Sequence, residues 1–277
     1  MNLIYILFSA VAENIELGAI DAARNLLSRV EELAESVKNI VSYAEIIHKL
    51  SDFYLELGDY EKAKGVIERL IERLSTIDAE GKDFKIKYLR AVSQATLLKI
   101  YYEKGILRED LLIDTKRVYE ELAEEKGLVD YLLDYILSLY IPIRLAEGKK
   151  RELKLELPKL ISFCKEILRR KEVSVERVYP LMAEILVELA NIEIDLGEFD
   201  KAVEHAISAL EIYKSREELK ENFCNILVRL LELIRKYKEL LKSVEIEEIK
   251  NLVSDGLKLC ENRCREKLKR LKQDLNL

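Results

Sequence analysis

Two histidines and four cysteines carry most of the reactive chemistry that this chain could offer. His48 follows Glu45 by three residues, with Asp52 one helical turn further on. On a helix that spacing puts a carboxylate and an imidazole on one face. Carboxylate-bridged di-iron bundles use such pairs, but they need two of them plus two further glutamates. Ala202 stands three residues before His205, so there is no second pair. The reading for His48 is therefore a solvated helix face, and for His205 a helix–helix contact or solvent. No Gly-x-Ser-x-Gly elbow, phosphate-binding glycine loop, dinucleotide fingerprint or Cys-x-x-Cys motif occurs, which removes the local signatures of several enzyme classes. The expectation is a protein without catalytic residues, cofactor or metal.

The cysteines call for geometry. Cys260 and Cys264 lie one turn apart on the stripe Val253, Leu257, Cys260, Cys264, Leu268, Leu271. A helical hairpin folded about residue 243 places Cys224 opposite roughly residue 262, so three thiols meet in the C-terminal hairpin. Three readings stay open: small buried hydrophobes, a Cys224–Cys260 or Cys224–Cys264 disulfide, or a thiolate metal site. In the last, tetrahedral zinc lacks a fourth ligand unless Cys164 comes near. The same stretch is basic, with Arg263, Arg265, Lys267, Lys269, Arg270 and Lys272 against Glu261 and Glu266. Cations near a helix C-terminus complement its dipole. The other reading is binding to an acidic partner or RNA, weakened because no aromatic residue interleaves the charges.

These residues must be positioned by long helices. The 277 residues include only nine glycines and three prolines, with 49% hydrophobic and 35% charged residues. An all-β chain needs a turn about every 8–12 residues, and these turn signals are too few. So high a charged fraction excludes a membrane protein, and so high an apolar fraction excludes a disordered one. No apolar run approaches the roughly 18 residues of a spanning helix. The apolar start Leu3–Ala12 precedes the first basic residue, Arg24, whereas a secretory signal has a basic leading segment; it reads as a mature N-terminus. The expectation is a soluble, cytoplasmic protein, and scarce Gln and Met beside abundant Lys, Glu, Ile and Leu lean towards a thermophile. A net charge of −6 opposes polyanion binding, so nucleic acid is not the expected partner.

Internal repetition organises the chain. Polar turns end in Gly18, Gly58, Gly105, Gly148 and Gly197, spaced by 40, 47, 43 and 49 residues. Glycine is a natural C-terminal helix stop because it accepts the left-handed conformation. Eleven, eight and seven residues before each glycine, thirteen of fifteen positions are apolar, the exceptions being Ser51 and Gln94. That is a continuous buried stripe. Pro158 and Pro180 suit first turns of helices, Pro142 should kink its helix, and a turn is expected near Ser243–Glu245. The reading is all-α: an α-solenoid of about six antiparallel hairpins and about twelve helices. The hairpins lie near 1–37, 38–77, 83–126, 128–172, 175–214 and 217–273. No linker rich in Pro, Gly or Ser interrupts them, so 1–277 reads as one domain.

Ile47–Leu70, with Leu50-Ser51, Tyr54, Gly58-Asp59-Tyr60, Ala63, Ile67 and Leu70, resembles the tetratricopeptide repeat. So does Leu186–Ala209, with Leu189-Ala190, Gly197-Glu198-Phe199, Ala202, Ala206 and Ala209. Leu7–Val30 is similar more loosely. The repeats are longer than the family's, and Glu193 stands where an aromatic residue is usual. The resemblance implies a right-handed superhelix whose first helices form a groove for a partner's peptide or helix. Its positions here are Tyr5, Phe8, Glu45, His48, Asp52, Lys99, Tyr102, Tyr135 and Asn191. The family's carboxylate clamp needs Lys and Asn one turn apart, and only Asn191 fits. An acidic tail is therefore not the expected ligand; a peptide or helix with apolar anchors and positive charge is. The implied function is a non-enzymatic interaction scaffold, with self-association through the apolar N-terminal helix a further expectation. The alternatives are a regulatory or sensory ligand-binding module, suggested by Gln94 and His48 inside the array, and RNA binding through the basic C-terminal helix.

Overall fold

The computed structural model describes residues 2–78, 82–170, 175–214, 220–236 and 246–277, apart from the side chains of residues 2, 175, 220, 221, 246, 248, 262 and 263. Every regular element among them is helical. In order these are α1 (Asn2–Glu16), α2 (Ile20–Ala34), α3 (Ile40–Glu56), α4 (Tyr60–Ile77), α5 (Phe84–Glu103) and α6 (Glu109–Lys126). α7 joins Val129–Tyr135, a π-helical turn Ile136–Tyr140 and Ile141–Ala146. Then come α8 (Lys150–Arg170), α9 (Val175–Asp195), α10 (Phe199–Lys214), α11 (Lys220–Lys236), α12 (Ile246–Leu259) and α13 (Asn262–Leu275). No helix among the described residues is long and apolar enough to cross a membrane.

Where the sequence shows no linker, the contacts of the structure divide after α6 into two compact units, Met1–Lys126 and Gly127–Leu277. Within the first, α1/α2, α3/α4 and α5/α6 pair as hairpins, and α2 against α3 and α4 against α5 join them. The helices begin where side chains take up free amides: Asn39 Oδ1 accepts from Ser42 N at 3.0 Å, and Asp83 Oδ1 from Lys85 N at 2.8 Å. They end at one turn used repeatedly. At Gly58 (φ 72°) the glycine amide donates to Leu55 O at 2.9 Å and the next amide, of Asp59, to Tyr54 O at 2.7 Å. This paired closure satisfies two carbonyls left over at the helix end and requires a residue with positive φ. Gly18, Gly105, Gly148 and Gly197 make the same pair of bonds, with φ between 69° and 77°. Alanines on the second helices, Ala23 and Ala63, are fully buried and let the pairs approach closely. Tyr54 is buried too, and its hydroxyl donates to Glu31 Oε2 at 2.9 Å, tying α3 to α2.

In the second unit α9 packs on α7, α8 and α10, and α10 on α11. Three expectations change here. The π-turn precedes Pro142, which sits in the first two positions of Ile141–Ala146; a widened turn absorbs the bond that proline cannot donate. Pro158 does not begin a helix but lies inside α8. Buried Leu153 and Leu157, and the ion pairs Lys154–Glu198 and Glu152–Arg144, hold the turns before it helical. Pro180 likewise lies inside α9. The long last helix expected from Ile246 is instead broken at Cys260–Glu261, so that both α12 and α13 pack against α11. The expected turn at Ser243–Glu245 lies outside the described residues.

Candidate functional site

In the first unit, the first helices of the hairpins carry the predicted groove residues. α1 meets α3 through Phe8 stacked on Phe53, ring centroids 5.6 Å apart, with Lys49 Nζ 5.1 Å from the centre of the Phe8 ring. α3 meets α5 through His48, whose Nε2 is 3.2 Å from Ser93 Oγ and whose Nδ1 is 3.4 Å from Thr96 Oγ1. Burial lowers the His48 imidazole to about pKa 4, so it is neutral near pH 7. An imidazole sharing both nitrogens with hydroxyl groups ties two helices together; it is not poised as a general base, which needs a pKa near the working pH. Ser93 and Thr96 were detectable in the sequence only as small polar residues within an apolar stripe.

Of the residues on these first helices, Tyr5, Glu45, Lys49, Asp52, Lys99 and Tyr102 are exposed. Partial desolvation against the neighbouring helices raises the Asp52 carboxyl above its usual range although its side chain reaches the surface, and Lys99 opposes that shift. These helices thus present two tyrosine rings, two carboxylates and the two ammonium groups of Lys49 and Lys99. Leu3 and Ile6 extend this set at the start of α1, 56% and 64% exposed. The alignment places Phe8 and Tyr135 on the open face too, but the structure buries both, to 1% and 3% exposure. Phe8 fills the α1–α3 seam, and Tyr135 packs against Tyr140 in the second unit with centroids 6.5 Å apart. Long helices turn a wider stripe inward than the groove alignment allows.

In the second unit Asn191 is half-buried. His205 joins α10 to α9, with Nδ1 2.8 Å from Oε2 of Glu193, itself 1% exposed. The departure from the family's aromatic residue at Glu193 is thereby matched by a partner. On α13, Arg265, Lys267, Lys269 and Arg270 are exposed and Lys272 is half-buried; the side chain of Arg263 lies outside the described residues. Lys267 pairs with Glu232 at 2.8 Å and Lys269 with Glu266 at 2.6 Å, which reduces the local positive field. Cys224 and Cys260 are joined by a disulfide, Cα atoms 5.7 Å apart; Cys264 and Cys164 lie outside that bond. Cys164 is buried on α8 and does not belong to the cluster formed by the other three. That cluster is the one group of potential metal ligands among the described residues, so Glu45, His48 and Asp52 do not gather as a metal set.

The hairpins, their glycine turns and the buried alanines match the tetratricopeptide repeat profile at residues 44–73 and 183–216. These two segments are tetratricopeptide repeats, and the fold around them is a tetratricopeptide-like helical repeat. The two matched segments hold the α3–α4 and α9–α10 hairpins, the two stretches whose sequences resemble the repeat in detail. Among solved structures, the tetratricopeptide-like chain is similar to the nuclear import adaptor Nro1 of S. pombe. That match has 12% identity and a TM-score of 0.55, over 99% of this chain and 97% of that one. It is also similar to BtubC (BKLC) from P. vanneervenii, at 14% identity and a TM-score of 0.52, over 99% of this chain and 92% of that one. At such identities the likeness is one of fold. No curated protein sequence matches the chain.

Proposed function

We propose that this chain is a non-enzymatic interaction scaffold that holds a partner's peptide or helix along the exposed face of α1, α3 and α5. The observation that carries the reading is the side-chain set of that face. Tyr5 and Tyr102 offer amphipathic rings, while Glu45 and Asp52 offer negative charge beside the ammonium groups of Lys49 and Lys99. Aromatic anchors inside a polar rim are the usual energetic centre of a peptide-binding surface. A partner segment with aliphatic anchors and one or two Lys or Arg complements the set. His48, locked between Ser93 and Thr96, keeps α3 and α5 in register beneath it. Proteins of this repeat family hold other chains, and an import adaptor shares the fold; both are consistent with such a role.

The net charge of −6 and the pairing of Lys267 and Lys269 favour a protein partner over nucleic acid. A peptide array probed with the labelled full-length chain tests the proposal. Bound sequences should be enriched in aliphatic residues flanked by Lys or Arg. Binding should weaken with salt and fall in both Tyr102→Ala and Asp52→Lys. Selection of acidic C-terminal peptides, or binding unchanged in both variants, would overturn it.

A further inference from the structure

We propose that, once the Cys224–Cys260 bond is reduced, Cys224, Cys260 and Cys264 form a three-thiolate site for a soft, thiophilic ion of the Cu(I) class. The inference is independent of the peptide-binding reading, because it concerns the last three helices only.

Three separate pieces of backbone deliver the sulfurs. Cys224 comes from α11, Cys260 from the break between α12 and α13, and Cys264 from the first turn of α13. All three Sγ atoms lie within 4.8 Å of one another. Metal–sulfur bonds of about 2.3 Å in a trigonal plane set the sulfurs about 4.0 Å apart, so the two disulfide sulfurs must separate on reduction while Cys264 already stands within reach of both. The break at Cys260 matters, since a continuous helix would tie its direction to that of Cys264. Gly256, four residues earlier, has Leu227 and Leu268 against the position of its missing Cβ. Its lack of a side chain lets α12 lie close to α11 and α13, the two helices that carry the other thiols.

The donor set selects the ion. It is all sulfur, with no carboxylate or imidazole in the group, and thiolates favour soft ions. Structural zinc takes four ligands in a tetrahedron, and Cys164 does not supply the fourth here. Three sulfurs without a fourth protein ligand suit three-coordinate Cu(I). Cys224 and Cys260 are buried, while Cys264 is half-buried beside a cleft of about 650 Å³ that Asn225, Val228, Glu266, Lys267 and Arg270 also line. The cleft is the entry path. The chemistry balances as follows: a dithiol reductant supplies two electrons and two protons to the disulfide and itself becomes a disulfide. The three thiols then release three protons as the ion binds. The resulting site carries a charge of about −2, beside a cleft whose cations, Lys267 and Arg270, are partly balanced by Glu232 and Glu266. Disulfide and metal exclude each other, so the thiol redox state gates the site.

The test uses the full chain, reduced and handled without oxygen, with Cu(I) itself as probe and a chromophoric Cu(I) chelator as competitor. The reduced chain should withhold one equivalent of Cu(I), and the disulfide-bonded chain none. Cys264→Ser should lose the equivalent, whereas Cys164→Ser should keep it. Cys264→Ser leaves the disulfide pair in place, so the melting curve of its oxidised form shows whether the fold is intact. Cys264→Ala serves as a second variant if it is not. The proposal is overturned if the reduced chain yields all its Cu(I) to the chelator, if folded Cys264 variants retain it as wild type does, or if Zn(II) is held and Cu(I) is not.

Discussion

The same substitution, glycine to alanine inside a helix, should have opposite signs at Gly256 and Gly65. In an open helical position the change stabilises by about 0.5–1 kcal/mol, because alanine gives up less backbone freedom on folding. Gly65 in α4 is such a position: a Cβ there would meet only Arg69 Nη1, at 3.9 Å. Gly256 is not. Its Cβ would lie 2.5 Å from Leu227 Cδ2, 3.1 Å from Leu268 Cδ1 and 3.8 Å from Phe223 Cε1. Ordinary carbon contacts are about 3.5–4.0 Å, so the Leu227 methyl must retreat by about 1 Å. Leu227, Leu268 and Phe223 are all fully buried, so that retreat has to take place inside the core. Overpacking of this kind costs about 1–3 kcal/mol. Set against the helical gain, Gly256→Ala should destabilise by about 1–2 kcal/mol. Urea unfolding of the two variants beside wild type, under oxidising conditions, measures both. If Gly256→Ala matches or exceeds wild type in stability, the close approach of α12 to α11 and α13 is wrong.

Three further outcomes follow from geometry. Gly58→Ala should lose roughly 1–2 kcal/mol from left-handed backbone strain alone, since nothing lies within 4 Å of a Cβ there; a neutral result in urea unfolding would count against the turn. Reduction of Cys224–Cys260, 36 residues apart, should lower stability by about 3–4 kcal/mol through loop entropy, read as a shift of the unfolding midpoint; an unchanged midpoint would show that the bond does not restrain the unfolded chain. His48 should titrate in the folded chain near pH 4 rather than 6.5, as followed by the NMR shifts of its ring protons. The unfolded chain then binds a proton that the folded one refuses. The contribution of His48 to stability is therefore full above about pH 6.5, falls as pH drops, and is gone below its folded value near 4. A folded-state midpoint at 6.5 would refute the burial of the ring.

Legibility in the sequence followed the strength of the local physics. The five glycine turns were readable because few residues but glycine take positive φ, and the fifteen-position stripe marked the faces packed behind them. The break at Cys260–Glu261 was not readable: neither glycine nor proline occurs there, and packing of two short helices on α11 decides it. Pro158 misled because proline's preference for a first turn is weaker than the burial of Leu153 and Leu157 and the ion pairs around them. Of the groove residues, polar Glu45, Asp52 and Lys99 are on the surface, while Phe8 and Tyr135 went inside. Alignment fixes a position on the repeat, but an aromatic ring follows whatever apolar surface lies within reach. Folding the C-terminal hairpin about residue 243 set Cys224 between Cys260 and Cys264; the sulfurs of all three do meet, although the hairpin's far arm is two helices.

The glycine turn also bears on how this chain can change in length. Each turn closes its backbone on itself with two bonds, from Gly58 to Leu55 and from Asp59 to Tyr54 in one case, while its side chains also reach neighbouring hairpins, as Asp59 does to Arg24. The corner is a fixed fitting, while spacings of 40 to 49 residues between corners show that the arms are cut to different lengths. Residues gained or lost at an arm's far end leave the corner untouched; one gained within it removes both bonds together. Lineages of this protein should therefore drift in size at the joints between hairpins and hold constant at the corners within them.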